Sequence, residues 1–364
     1  MSIKVFRLVS VLILLAVTLS ACAPATPETI VVTQVVTQVV EKEVEKLVEV
    51  TSTPAPVVEK KLKVFGAFAT PIEEPWDVVI HSALLKAKEE GKIEYNFTDN
   101  IGYSGDMERV LREICDQQKP DLILGDAFAN EEAVRRVAAD YPEIPFAFGS
   151  GFGPTEPNVA VFDNWIHEPA YLLGMLAGGL TKSNKIGVVG GMPVPEVNRI
   201  VNAFIAGAKS VNPDAKVLVS FINSWFDPAT AKDAALAQID SGADVLFAER
   251  FGVIEAAAEK QLWAFGNMSD QNELAPDYVV SSAVWNMEPT VAYLIAQVAA
   301  GTFTAQDLKD FSMMGKGGAS LAAFHNTESK LPADLVEKVK AKEAEIKSGA
   351  FRVDIDEAQP APVN

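Results

Sequence analysis

The chain reads as an α/β protein built from two doubly wound parallel-sheet halves. Three observations predict this. Short apolar runs recur along the chain, each followed by turn residues and then a helical pattern, the rhythm of parallel strands joined by crossover helices. The rhythm is clearest in residues 183–248, where runs at 185–189, 216–222 and 243–248 alternate with helical stretches. At 364 residues the chain is long enough for two full cores. In such sheets the ligand-facing loops lie beyond the carboxyl ends of the strands. In 183–248 these loops are 190–196 and 223–227, and the second carries Trp225, Phe226 and Asp227.

The first elements form an address. Residues 1–19 have a basic start and an apolar run at 8–19, shorter than the ~20 residues of a membrane span and suited to a secretion signal. The run ends in Leu19-Ser20-Ala21-Cys22, which is similar to a bacterial lipobox with Cys22 as the lipidated first residue of the mature chain. Residues 22–61 include the near-repeat VVTQVVTQVVEKEVEKLVEV and read as a low-complexity tether ending at Pro54 and Pro56.

The folded region begins with a β-rich run at 62–68, followed by a loop at 69–75 and a helix opened by Trp76 and closed near Gly91. A strand at 94–98, a helix at 106–117, a strand at 121–125, a helix at 130–141 and strands at 145–148 and 159–162 complete one half. The helix at 168–180, EPAYLLGMLAGGL, is rich in small residues and suited to close packing. The second half follows, with further helices at 253–260 and 288–299, strands at 262–266 and 278–284, and a strand-like segment at 319–324. A helix at 332–348 ends the fold, and the residues after 353 read as a flexible tail.

Composition narrows the function. Formal charge is −18, and loss of the signal with Lys4 and Arg7 takes it to −20. That excess of acid argues against nucleic-acid binding and against a polybasic membrane patch. With Cys22 and Cys115 as the two cysteines no disulfide framework is expected, and Cys115 on its helical pattern reads as core. His81, His167 and His325 are scattered without ligand spacing, so neither metal nor cofactor is expected. The glycine runs 187–191 and 315–318 lack P-loop and dinucleotide spacing, and no G-x-S-x-G elbow is present. No enzyme is indicated.

What does recur is an aromatic or a carboxylate just past a strand: Trp76, Asp126 and Phe128, Trp225 and Phe226, Asp270, and Trp285. Aromatic faces hold flat ligands, and carboxylates orient them by accepting N–H or O–H donors. Asp227, ahead of Pro228, reads instead as a helix cap.

The segments NKIGVVGGMPVPEVNRIVNAFIAGAKSVNPDAKV, FDPATAKDAALAQIDSGADVLF and SDQNELAPDYVVSSAV, with ILGDAF and NVAVFDNWIHEPAYLLGMLAGGLTKSNK, resemble the basic membrane protein (PnrA-like) family of ABC-importer substrate-binding lipoproteins. The resemblance spans nearly all of 62–351. It implies a type I periplasmic-binding fold, without catalysis, whose lobes are joined by a multi-crossing hinge. Lobe one would comprise 62–164 and about 286–318, and lobe two 165–285 and about 319–353. It also implies a purine held between aromatics of the two lobes, here Trp76 and Phe226 with Trp225 beside it, and polar contacts near Asp126 and Asp270. The sequence departs from the family where G-V-D-S-D-Q is common: it reads Gly266-Asn267-Met268-Ser269-Asp270-Gln271, so Met268 replaces a carboxylate, and Trp285 stands in place of a lysine. Both changes favour less polar bulk, so a nucleobase such as adenine, or another flat heterocycle, is expected to bind at least as well as a nucleoside. The expected partners are an ABC permease and ATPase, with the membrane reached through the lipid anchor. A receptor module that signals to a membrane sensor would use the same cleft, and Trp76→Ala is expected to weaken binding while leaving the fold intact.

Overall fold

The computed structural model describes residues 61–361. The signal segment, Cys22 and nearly all of the tether lie outside them.

The first sheet contains β1 (Leu62–Ala67), β2 (Ile93–Thr98), β3 (Leu122–Asp126), β4 (Phe146–Gly149) and β5 (Val159–Phe162), all parallel, in the order β2-β1-β3-β4-β5. Its helices are α1 (Asp77–Glu89), α2 (Asp106–Glu113) and α3 (Glu131–Asp140). The second sheet contains β6 (Lys185–Gly190), β7 (Lys216–Phe221), β8 (Val245–Ala248), β9 (Trp263–Met268), β10 (Val279–Trp285) and the short β11 (Ala319–Leu321). Its order is β11-β10-β9-β8-β6-β7, parallel except for β11. Around it lie α4 (His167–Leu180), α5 (Pro195–Val211), α6 (Pro228–Asp240) and α7 (Val253–Glu259), whereas α8 (Glu288–Ala299) packs on α1 of the first lobe, and α9 (Ala333–Ser348) returns to α4 of the second.

The five parallel strands of each sheet share one order, with the second strand outside the first. Strand order therefore reverses between β1 and β3 and again between β6 and β8, and a crevice opens beyond the carboxyl ends at each reversal. Strands such as β3 and β8 are buried at every position, which is why they read as unbroken apolar runs rather than alternating ones. The two-lobed architecture is that of type I periplasmic-binding proteins.

The small residues of α4 have a packing cause. A Cβ added at Gly174 would lie 2.0 Å from the Phe204 carbonyl oxygen, and one at Gly207 would lie 1.9 Å from that of Tyr171. Backbone meets backbone between α4 and α5, and only glycine permits it. The chain passes between the sheets after β5 and again after β10. It then pairs beside Val161 at Asp307 before returning to β11. Gly91, with φ +76°, follows the end of α1 in the left-handed conformation expected of a helix-terminating glycine. Asp227 caps α6 by accepting the Thr230 N–H at 3.0 Å.

Two local expectations are corrected. The helix over 106–117 stops at Glu113 and widens into a π turn, Ile114–Gln118. The tail is not frayed where it is described. The Asn202 side-chain amide donates to the carbonyls of Asp356 and Ala358 at 2.9 and 2.8 Å, and Arg199 pairs with Glu357 at 3.2 Å. These side chains on α5 satisfy backbone acceptors that composition alone assigned to solvent.

Candidate functional site

Between the lobes, at the carboxyl ends of both sheets, lies a cavity with about 310 Å³ of empty space. A larger depression, about 1460 Å³, is bordered by Leu62, Asp121 and Pro145 at the amino ends of the first sheet's strands. It is on the wrong side of the sheet for a doubly wound site, so the inter-lobe cavity is the candidate.

Trp76 forms one wall. It immediately precedes α1, and its ring stacks on Phe162 at 5.9 Å and 13° and rests against Trp285 at 5.0 Å. The position depends on Gly149, where a Cβ would come within 1.9 Å of Trp76 Cη2. The indole N–H has no partner among the described residues. Across the cavity, Trp225 follows β7 and meets Phe128 edge-to-face at 5.0 Å and 88°. Tyr103 in turn abuts Phe128 at 6.1 Å. An aromatic contact thus closes the lobes over the cavity.

An ion pair closes them a second time. Glu74 sits in the loop before α1; one carboxylate oxygen accepts the N–H groups of Trp76 and Asp77 at 2.7 and 3.1 Å, and the other accepts Arg250 Nη1 at 2.8 Å. Arg250, just past β8, is also held by Glu249 through Nε and Nη2 at 2.8 and 2.7 Å and donates to the Trp225 carbonyl at 3.0 Å. Burial disfavours the guanidinium charge, but Glu249 and Glu74 outweigh it and raise the Arg250 pKa further. Burial raises Glu74, and Arg250 offsets only part of that rise.

Two further carboxyls line the cavity. Asp126, at the end of β3, accepts the Phe128 N–H at 2.8 Å. Burial, then the charge of Asp77, push its pKa well above the usual carboxylate range. Glu196, in the first turn of α5, accepts Asn164 Nδ2 at 2.6 Å, and burial together with the charge of Asp163 raises it to about 8. Behind them Asp77, bonded to Thr70 Oγ1 at 2.5 Å, is raised to about 8 by burial and by Glu74. Among the described residues these acids are not grouped so as to hold a metal ion.

Of the residues singled out from the sequence, Trp76, Asp126, Phe128 and Trp225 line this cavity. The other four stand elsewhere. Phe226 is 43 % exposed and faces Phe251 rather than the cavity. Met268 is fully buried, receiving Asn164 Nδ2 at 3.3 Å from its sulfur, and Trp285 lies behind Trp76 with its indole N–H donated to Ser312 Oγ at 2.9 Å. Asp270 is on the surface, paired with His325 Nε2 at 2.7 Å. Met268, Asp270 and Trp285 border a separate open depression beside α1. Glu74, Glu196 and Arg250 line the cavity as well and are not among the residues that the sequence pattern singles out. All three occupy loops or first turns just past strand ends, the same positional signal that picked out the aromatics.

A model of the substrate-binding protein of PnrA-like ABC transporters matches residues 70–353. The chain belongs to this family. The PnrA-like chain is 31 % identical over 296 residues to a purine-binding protein of Brucella abortus, covering 80 % of this chain and 82 % of that one. It is 36 % identical over 196 residues to a putative ABC-transporter glucose-binding protein of Haloferax volcanii, covering 53 % of this chain and 49 % of that one. A solved ABC-transporter solute-binding protein of Conexibacter woesei superposes with a TM-score of 0.66 at 24 % identity, over 81 % of this chain and 99 % of that one, a likeness of fold. This PnrA-like protein is a substrate-binding component of an ABC transporter, a binding protein and not an enzyme. It works outside the cytoplasm with a permease and an ATPase. Among the described residues no helix is long and apolar enough to cross a membrane.

Proposed function

We propose that this PnrA-like protein is the lipid-anchored receptor of a purine importer. It would close its lobes on a purine held between the Trp76 wall of one lobe and the Trp225 wall of the other. The observation that carries the reading is the inter-lobe cavity itself, walled by Trp76 on one side and Trp225 on the other and lined by the polar groups of Glu74, Asp126, Glu196 and Arg250. The 31 % identical relative named as a purine-binding protein supports the ligand class. Stacking on the two indoles would supply affinity, and hinge closure would present the loaded form to the permease. Cys22 would carry the lipid, with residues 23–61 as tether.

A thermal-shift panel of purine bases, nucleosides and glucose tests the ligand. The expected result is a large upward shift with a purine base. A shift with guanosine or inosine and none with free bases sinks the nucleobase preference; a shift with glucose alone sinks the purine class. Mass spectrometry of the membrane-extracted protein tests the anchor, which requires a diacylglyceryl group on Cys22 that is lost in Cys22→Ala.

A further inference from the structure

The charged groups around the cavity fall into two sets. Glu74 has both oxygens engaged, by Arg250 and by two backbone N–H groups. Arg250 makes four hydrogen bonds, to Glu249, Glu74 and the Trp225 carbonyl, so the cation nearest the cavity is already neutralised by protein carboxylates. Asp126 and Glu196 differ. Asp126 engages Oδ1 with the Phe128 N–H, and Glu196 engages Oε1 with Asn164, leaving Oδ2 and Oε2 without a protein hydrogen bond among the described residues. Both side chains line the cavity, one from the end of β3 in the first lobe and one from the start of α5 in the second. They sense each other: behind burial and the charges of Asp77 and Glu74, the charge of Glu196 contributes to raising Asp126.

From this arrangement we infer that Asp126 and Glu196 are the ligand-reading pair, one per lobe, and that together they select a free nucleobase over its N9-substituted derivatives. The inference rests on the purine reading above. Burial keeps both acids protonated in the empty protein, and a ligand N–H that donates to the free oxygen stabilises the ionised form, so each carboxyl pairs with a donor edge of the ligand. A free aminopurine carries donors on two opposite edges, the amino group of its six-membered ring and the N–H of its imidazole ring. Each lobe reads one edge, so the ligand itself ties the lobes together. A substituent on N9 fixes the imidazole ring without its hydrogen and leaves one carboxyl unanswered. Nucleotides are excluded as well, since their phosphates would meet two acids and a guanidinium that is already occupied.

Calorimetric titration of the full chain with adenine, 9-methyladenine and adenosine tests the pair, using wild type, Asp126→Ala and Glu196→Ala. Thermal melting of each variant confirms that it folds. In the wild type adenine should bind at least about tenfold more tightly than 9-methyladenine, as for loss of one hydrogen bond to a carboxyl group. In one of the two variants that ratio should collapse because adenine weakens. Improvement of 9-methyladenine with adenine unchanged would mean a steric clash and overturn the inference. So would equal affinity for the two in the wild type, or a ratio unchanged in both variants. Purines that bind without this discrimination would leave the purine reading standing and remove only the selection by Asp126 and Glu196, whereas binding of none of the three would end both.

Discussion

Glu74 and Arg250, 176 positions apart and on opposite lobes, meet in an ion pair of 2.8 Å with side chains 4 % and 3 % exposed. The same glutamate holds the backbone in front of α1, so one residue both places Trp76 and locks the lobes. Opening the cleft would separate the pair and return Glu74 to water, while Arg250 would keep Glu249. Removing one partner of a buried pair is costly, about 3–5 kcal/mol, because the other charge is left uncompensated. Glu74→Gln should therefore weaken ligand binding at least about tenfold and raise the radius of gyration of the ligand-free protein in small-angle scattering. Unchanged scattering and affinity would show that the pair does not hold the lobes closed.

Trp76 is a core residue as well as a wall of the inter-lobe cavity. The sequence reading expected Trp76→Ala to spare the fold, but the ring is 6 % exposed and packed against Phe162, Trp285 and the bare Cα of Gly149. Truncation should cost about 3–5 kcal/mol of stability, the usual range for a buried large aromatic, measured by urea unfolding. Gly149→Ala should instead displace the indole and lower affinity with a smaller loss of stability.

Asp77 and Glu196 carry folded-state pKa values of about 8, raised chiefly by burial from unfolded values of 3.8 and 4.5. Between those limits the folded chain binds more protons than the unfolded one, so stability falls as pH rises. Melting temperature without ligand should decline from about pH 5 to about pH 8 and then level off. Asp77→Asn should flatten the decline; an equally steep decline in that variant would remove Asp77 as a cause.

Cys115 is buried within the π turn, and burial followed by the charge of Asp116 pushes its thiol up to about 12. The thiolate is the reactive species. Peptide mapping after iodoacetamide treatment at pH 8 should find Cys115 unmodified in the native protein and alkylated after unfolding. Rapid alkylation of the native protein would contradict its burial.

The sequence alone determined the strand-and-helix rhythm, the two halves and the strand-end loops that border the candidate site. Strands buried on both faces must be continuously apolar, and doubly wound sheets expose function at strand ends, so each property leaves a local mark. Trp76, Asp126 and Trp225 were legible for that reason. Only the tertiary structure decided which strand-end residues face one another. Trp225 turns into the cavity while its neighbour Phe226 turns out, and Trp285 backs Trp76 instead of facing the space between the lobes. Met268 and Asp270 are two residues apart, yet one is buried under Asn164 and the other sits on the surface. The partnership of Glu74 with Arg250, and the shared cavity of Asp126 and Glu196, depend on lobe closure across long sequence separations. No local pattern encodes that, because the partners lie in different lobes and far apart in the sequence.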